Sequence, residues 1–467
     1  MKTIISTAKK YILNPNYCMY TMLVVSYFSL SRIFYDCMGI FRKGILVWGS
    51  FLLLILATKK LEILKNKYSI LMLLFCVVNF ITVFLNFQGR FFNGIVTMVY
   101  VSIFLIVFFN ASEWNGKNRK SRTTTIDILL KIHTYLSFLF AVIAIVMFCF
   151  NIKGKYVSQG QDIFYGVRDN RLWGLYNPNT AATLCILSLV TSIILMRKST
   201  NRKFLIFNMV MQMLYLILTQ SRTGWVLLIG CIILYVIFLK IVPLIKEKCS
   251  IIRIVKISCI YMVLIICLAC SPKFVKEILV KIPQSIVMLS SNQKKTVAEI
   301  EEEVSLKRID AEKIAEQDAT NGRSEIWRAG LQIFKDHPIW GIGSENVDKK
   351  AEEYLSGDRY KNLLKGGFHN SYITILVSSG IIGMSIFVII FVCFVVEGFI
   401  FLWKSENEKY KILIIVLFTF MGNELFESRW LYNTSYINII FWCIMGNVVR
   451  EIAMEKKKIK KVNGIGR

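Results

Sequence analysis

Histidine and proline are scarce: 3 and 6 of 467 residues. No His-Glu-x-x-His motif occurs, and a zinc site has no sequence support. Gly-x-Gly-x-x-Gly and phosphate-loop patterns are absent too, and Gly341-Ile342-Gly343 is a turn signal only. Charged residues make up 19% of the chain, below the usual share of about a quarter. The 12 cysteines sit mostly inside apolar blocks, which argues against a disulfide framework. No repeat of about 20 to 50 residues stands out, and the only biased tract is the Lys-rich tail. Acidic residues are few: 30 Asp and Glu face 57 Lys and Arg, for a net charge of +27.

What the chain does have is apolar length. Hydrophobic residues reach 55%, with a mean hydropathy of +0.54. They run in long blocks, which excludes a disordered chain. A bilayer core needs about 20 apolar residues per helix. Blocks of that kind centre near Val25, Leu53, Val77, Tyr100, Phe140, Leu187, Met211, Ile232, Met262, Phe387, Val416 and Phe441. The expected fold is an all-α polytopic membrane protein with about twelve spans. The first block lacks a small-residue cleavage site and reads as a retained span.

Basic residues set the orientation. With the N-terminus inside, inner segments hold about thirty Lys and Arg, including Lys59, Lys60, Arg197, Lys198, Lys457 and Lys458. The short outer loops hold about ten, among them Arg171, Arg222 and Arg429. Both termini are therefore expected in the cytoplasm. Most of the +27 then faces anionic inner-leaflet lipids, and a nucleic-acid partner is not expected. The expected organisation is spans one to nine over residues 1–270 and an extracytoplasmic helical segment over 271–369. Spans ten to twelve follow over 370–450, with a basic tail over 451–467. Residues 293–319 lack Gly and Pro and are dense in Glu and Lys, which predicts charged helices. A second outer loop covers residues 151–179.

Chemistry must come from few residues. His133 starts span five and reads as structural. His337, in Asp336-His337-Pro338, reads as a helix stop, because the residue before proline avoids the α region. His369 differs. It lies where the long outer segment meets span ten, in Gly367-Phe368-His369-Asn370-Ser371-Tyr372. A neutral imidazole there can take a proton from an arriving hydroxyl. Arg222 sits in Ser221-Arg222-Thr223-Gly224, a very short turn between spans seven and eight. It is either functional or snorkels to headgroups. Gly322-Arg323-Ser324 opens a helix expected over 324–335, with Ser324 as its cap and Arg323 placed to bind phosphate. Arg328 reads as a surface or packing residue. Arg171 to Asn179 ends the other outer loop, with Asn179 read as the cap of span six. Arginines hold phosphates and can neutralise a departing diphosphate without a metal.

Three stretches carry a family resemblance. They are Ser221-Arg222-Thr223-Gly224, then Gly322-Arg323 through Trp327 to Asp336-His337-Pro338-Ile339-Trp340-Gly341-Ile342-Gly343, then His369-Asn370-Ser371-Tyr372 with Gly380-Ile381-Ile382-Gly383. Their order resembles the O-antigen ligase and polysaccharide polymerase superfamily, and the Arg171 to Asn179 loop is similar as well. The resemblance implies a GT-C-like fold and an inverting, metal-independent glycosyltransferase with no cofactor. It implies an undecaprenyl-diphosphate-linked glycan donor, and a glycan, lipid-linked glycan or other surface acceptor. It also implies work at the outer face of the bacterial inner or plasma membrane, in contact with lipids and other polysaccharide-assembly proteins. Arg222 and Arg323 would hold the diphosphate and His369 would orient or deprotonate the acceptor. Arg171, Asn179 and Asn370 are supporting candidates. A polymerase of repeat units, as in capsule or exopolysaccharide assembly, is the expected activity, with an O-antigen ligase as the alternative.

Glu424 and Glu427 have no motif role. They either bind acceptor sugar or face water. A flippase or secondary transporter is the competing class. Its repeated halves and broken helices are not evident, and no proline falls mid-span. A glycan-binding sensor is a third reading.

Overall fold

A computed structural model describes residues 11–59, 66–87, 89–114, 119–158, 161–290, 299, 304–306 and 323–462. The α-helices of ten residues or more begin with α1 (Pro15–Ser29), α2 (Cys37–Lys59), α3 (Lys67–Leu85), α4 (Phe91–Ser102) and α5 (Arg119–Cys149). Three strands follow: β1 (Lys153–Ser158), β2 (Gln161–Arg168) and β3 (Arg171–Gly174). Then come α6 (Pro178–Met196), α7 (Arg202–Thr219), α8 (Arg222–Val236), α9 (Ile251–Leu279) and α10 (Lys281–Ser290). The last are α11 (Arg323–Asp336), α12 (Gly357–Gly366), α13 (Ser371–Lys404), α14 (Glu408–Asn423) and α15 (Tyr436–Val462).

All twelve expected centres fall in helices. Ten stretches among the described residues are long and apolar enough to cross a membrane by length and composition. α1 and α14, at 15 and 16 residues, are shorter. α9 runs on past the expected end of span nine, through Pro272 to Leu279. Most of the charged stretch 293–319 lies outside the described residues.

The all-α expectation needs one correction. The loop over 151–179 holds a three-stranded antiparallel sheet in the order β1-β2-β3. Asp169 and Asn170 join β2 to β3, both at positive φ of 51° and 54°. Two such residues between paired Arg168 and Arg171 make a tight hairpin turn whose twist suits the strands. Asp-Asn was the available signal.

The chain divides into two compact units. One comprises Met1–Ser29, Asp36–Ile128 and Thr320–Arg467, and the other Leu30–Tyr35 and Leu129–Ala319. In the first, α13 packs along α3, and α11 packs on α13. α13 is broken at Gly380, where φ is 62° and ψ is −167°. The turn after His337 fills the break. Ile342 N donates to Val377 O at 3.1 Å, Gly343 N to Ser378 O at 3.0 Å, and Ile381 N to Pro338 O at 2.8 Å. Thr82 of α3 closes it from the other side, its hydroxyl donating to Trp340 O at 2.8 Å. Thus the backbone groups freed by the break find partners, as buried polar groups must. A Cβ on Gly341 would stand 2.6 Å from Gly380 N, so glycine is required for this approach. In the second unit, α6 packs against α7, α8 and β3.

Candidate functional site

His369 lies in the first unit, on the four-residue link from α12 to α13. α12 stops at Gly366, and Gly367 leaves the helix at φ 61°. Phe368 is fully buried among Ile326, Ile333, Leu363 and Val377. Its carbonyl accepts from Trp327 Nε1 of α11 at 2.9 Å. Asn370 caps α13, its Oδ1 accepting from Tyr372 N at 2.9 Å and Ile373 N at 3.1 Å. His369 is thus held between an anchored ring and a helix cap, in the left-handed region at φ 49°. That conformation is uncommon for a side-chain-bearing residue outside special sites. Its ring folds back over Gly366, where a Cβ would come within 2.6 Å of Nε2. The ring is half-buried. Nδ1 is shielded from solvent and makes no hydrogen bond among the described residues.

Arg323, Glu427 and Arg429 act on it, and Glu424 lies behind them. Arg323 is the first residue of α11, so Ser324 lies inside the helix and is not its cap. Its Nη1 donates to Phe426 O at 2.7 Å, and its Nη2 stands 3.9 Å from Glu427 Oε1. The other Glu427 oxygen is 3.3 Å from Arg429 Nη2. Glu427 therefore bridges two guanidinium groups. Glu424, only 1% exposed, accepts from Ser371 Oγ at 2.5 Å and from Arg429 N at 2.9 Å. The loop carrying these groups is pinned by Trp430, whose ring stacks on Phe391 of α13 at 5.0 Å.

The electrostatics follow from this geometry. Burial, then Arg323, and also Arg429 hold His369 below its ordinary value of 6.5, and Glu427 opposes them. The imidazole is neutral at neutral pH. Burial pushes Glu424 up to about 7, against the pull of Arg429 and Ser371.

In the second unit, α7 ends at Thr219, and Gln220 turns the chain at φ 51°. Ser221 caps α8 through its hydroxyl, which accepts from Gly224 N at 3.1 Å. The same hydroxyl donates to Asn179 Oδ1 at 2.8 Å. Arg171 Nε donates to Thr219 O at 2.9 Å. A Cβ on Gly224 would meet Ala182 of α6 at 2.5 Å, so this glycine lets the helices close. Arg171 and Asn179 therefore brace the turn that carries Arg222. Asn179 is not the cap of α6. That role belongs to Asn177, whose side chain accepts from Asn179 N at 2.8 Å. Pro178 explains the shift, because proline favours the first helical position and puts the cap one residue before it. Arg222 itself is exposed and makes no ion pair among the described residues.

Residues 207–388 match the O-antigen ligase family. Over that stretch, less than half of the chain, the protein is similar to the O-antigen ligase and polysaccharide polymerase superfamily. No curated protein matches it. Members of this superfamily are membrane ligases or polymerases of glycosyltransferase type, and the match supports an enzyme of that broad kind. The O-antigen ligase region contains Arg222, Arg323, His369 and Asn370. Arg171 and Asn179 precede it, and Glu424, Glu427 and Arg429 follow it.

Glu424 and Glu427 do not face water but are buried, and Arg429, expected only as an outer-loop charge, is buried with them. Their signal was a Glu-x-x-Glu-x-Arg run immediately before Trp430 in an otherwise apolar region. Charges that are buried must be paired, and this run supplies both signs. His133, in contrast, is buried with Nε2 3.3 Å from Leu184 O. His337 accepts Gly341 N through its carbonyl at the helix stop. Both fit the structural roles expected of them.

Proposed function

We propose that the protein joins lipid-linked oligosaccharide repeat units into a surface polysaccharide at the outer face of the bacterial cell membrane. The donor is a glycan on undecaprenyl diphosphate. An acceptor hydroxyl oxygen attacks the anomeric carbon. The carbon–oxygen bond to the diphosphate breaks, and the electron pair leaves with it. The acceptor proton passes to His369. Attack opposite the leaving group inverts the centre. Charge developing on the diphosphate is assigned to Arg222 and Arg323.

One observation carries the reading: a half-buried imidazole, kept neutral by burial and by Arg323 and Arg429. A general base needs that protonation state. Glu427 keeps the two guanidinium groups in place. The Lys and Arg bias supports cytoplasmic termini.

A gene deletion tests the activity. Loss of long chains with single units still attached supports a polymerase. A ligase is the second reading, favoured by the description of the family matched at 207–388. It predicts loss of all attached glycan while lipid-linked chains accumulate. Movement of lipid-linked glycan across vesicles without bond formation would overturn both.

A further inference from the structure

α11 has a face that the reaction above does not use. Ile326, Gly330 and Ile333 are buried, and Gly330 sits against Phe368 and Ile373. Arg323 turns toward Phe426 and Glu427. Glu325, Arg328 and Gln332 recur at helical spacing on another face and are exposed. With Tyr354, Ser356 and Arg359 they line an open cavity of about 410 Å³.

Its opposite wall is fixed at both ends. Arg359 Nε donates to Glu325 Oε2 at 2.9 Å near the start of α11. The Tyr354 hydroxyl donates to Asp336 at the end of α11. Beneath, Ala351 and Leu363 are buried in the same apolar core as Phe368. From Glu325 to Asp336 the helix rises about 16 Å. The cavity is thus a short groove held open by two side-chain links.

Its chemistry is mixed. Arg328 and Arg359 donate, Glu325 accepts, and Gln332 and Ser356 do both. Tyr354 adds a ring with an apolar face. A carboxylate in the wall disfavours a polyanion, and the polar lining disfavours a lipid chain. A sugar matches: its hydroxyls donate and accept around the rim, and its C–H face is apolar. We infer that this groove binds a sugar segment of the acceptor glycan. Only the word acceptor rests on the glycosyltransferase reading, because sugar binding stands without it.

The test uses full-length protein in lipid nanodiscs. The probes are oligosaccharide released from the producing cell's own surface polysaccharide, and the same unit still on its lipid diphosphate. The Arg328→Ala, Gln332→Ala double variant should weaken free-oligosaccharide binding about tenfold. It should raise the acceptor KM by a similar factor and leave kcat and the donor KM unchanged. His369→Ala should bind oligosaccharide like wild type and not transfer it. Wild-type binding by the double variant overturns the groove and leaves the transfer reading standing. Groove-dependent binding with no transfer to any acceptor supports the groove and overturns the transfer reading. A loss confined to the lipid-linked probe also overturns the groove, because the diphosphate would then be what it reads. If the double variant does not fold, Gln332→Ala alone is measured against the same outcomes.

Discussion

The two compact units hold their candidate residues in opposite ways. Around His369, charged groups lean on one another: Glu427 spans Arg323 and Arg429, and Glu424 is buried under Ser371 and the Arg429 backbone. Around Arg222, the support is a brace of caps and carbonyl contacts made by Ser221, Asn179 and Arg171, and the Arg222 side chain is left exposed. A change of charge near His369 therefore acts on base strength, packing and chemistry together. A change at Arg222 acts on whatever arrives from outside the protein. The first arrangement is held by its own charges, and the second leaves its arginine exposed.

The largest effect is expected at His369. His369→Ala should lower glycan transfer by about 10²- to 10⁴-fold, the usual worth of a general base. Folding should survive, since the Nδ1 atom makes no hydrogen bond among the described residues. Transfer by purified protein in vesicles measures the first, and thermal unfolding the second. Normal transfer at normal expression would remove the base role.

The two arginines then break or sharpen the contrast. Arg222→Ala and Arg323→Ala should each cost about 10²- to 10³-fold in transfer, as loss of a charge-stabilising donor does. Only Arg323→Ala should also destabilise the fold, by about 1–3 kcal/mol, because it leaves Glu427 and the Phe426 carbonyl short of a partner. Equal melting temperatures for the two variants would show that the charge network is not structural.

Gly366→Ala probes preorganisation alone. The new methyl group would stand 2.6 Å from Nε2 of the folded-back ring, so the ring must move. Misplacement on that scale costs about 10²-fold. The expected signature is a fall in kcat with the donor KM unchanged. A fall in donor binding instead would mean that the link, and not the ring, was disturbed.

Much of this was legible in the sequence, for physical reasons. Spans declare themselves by apolar length, and all twelve centres lie in helices. The stop at His337 and the short turn at Arg222 come from local rules about proline and chain reversal. The sheet was missed because hydropathy reads a polar loop as loop, although Asp169-Asn170 marked its hairpin. The cap expected at Asn179 lies two residues earlier, at Asn177, because Pro178 takes the first helical position. The Glu427 bridge was not legible. It joins α11 to a loop about a hundred residues further on, and no local pattern encodes a contact at that separation. The Gly341 and Gly380 signals were visible, but their meaning was tertiary: each glycine admits the other's backbone.

The smallest effect gives the sharpest discrimination. In the proposed role His369 acts as a base only when neutral, and burial and Arg323 hold it below its ordinary value of 6.5. Transfer should therefore fall on the acid side, as pH drops through that lowered value. Arg429 helps to push it down and Glu427 pulls it up. Arg429→Met removes a positive charge, so protonation becomes easier and the acid limb moves to higher pH. Glu427→Gln removes the negative charge, so protonation becomes harder and the limb moves to lower pH. A kcat profile against pH for the two variants should show opposite shifts, with Arg222→Ala as a third profile. If both variants shift the same way, the loop acts on His369 by displacing it and not through charge. If neither shifts, the titrating base is another group, and the contrast between a tuned network and an exposed arginine loses its chemical content.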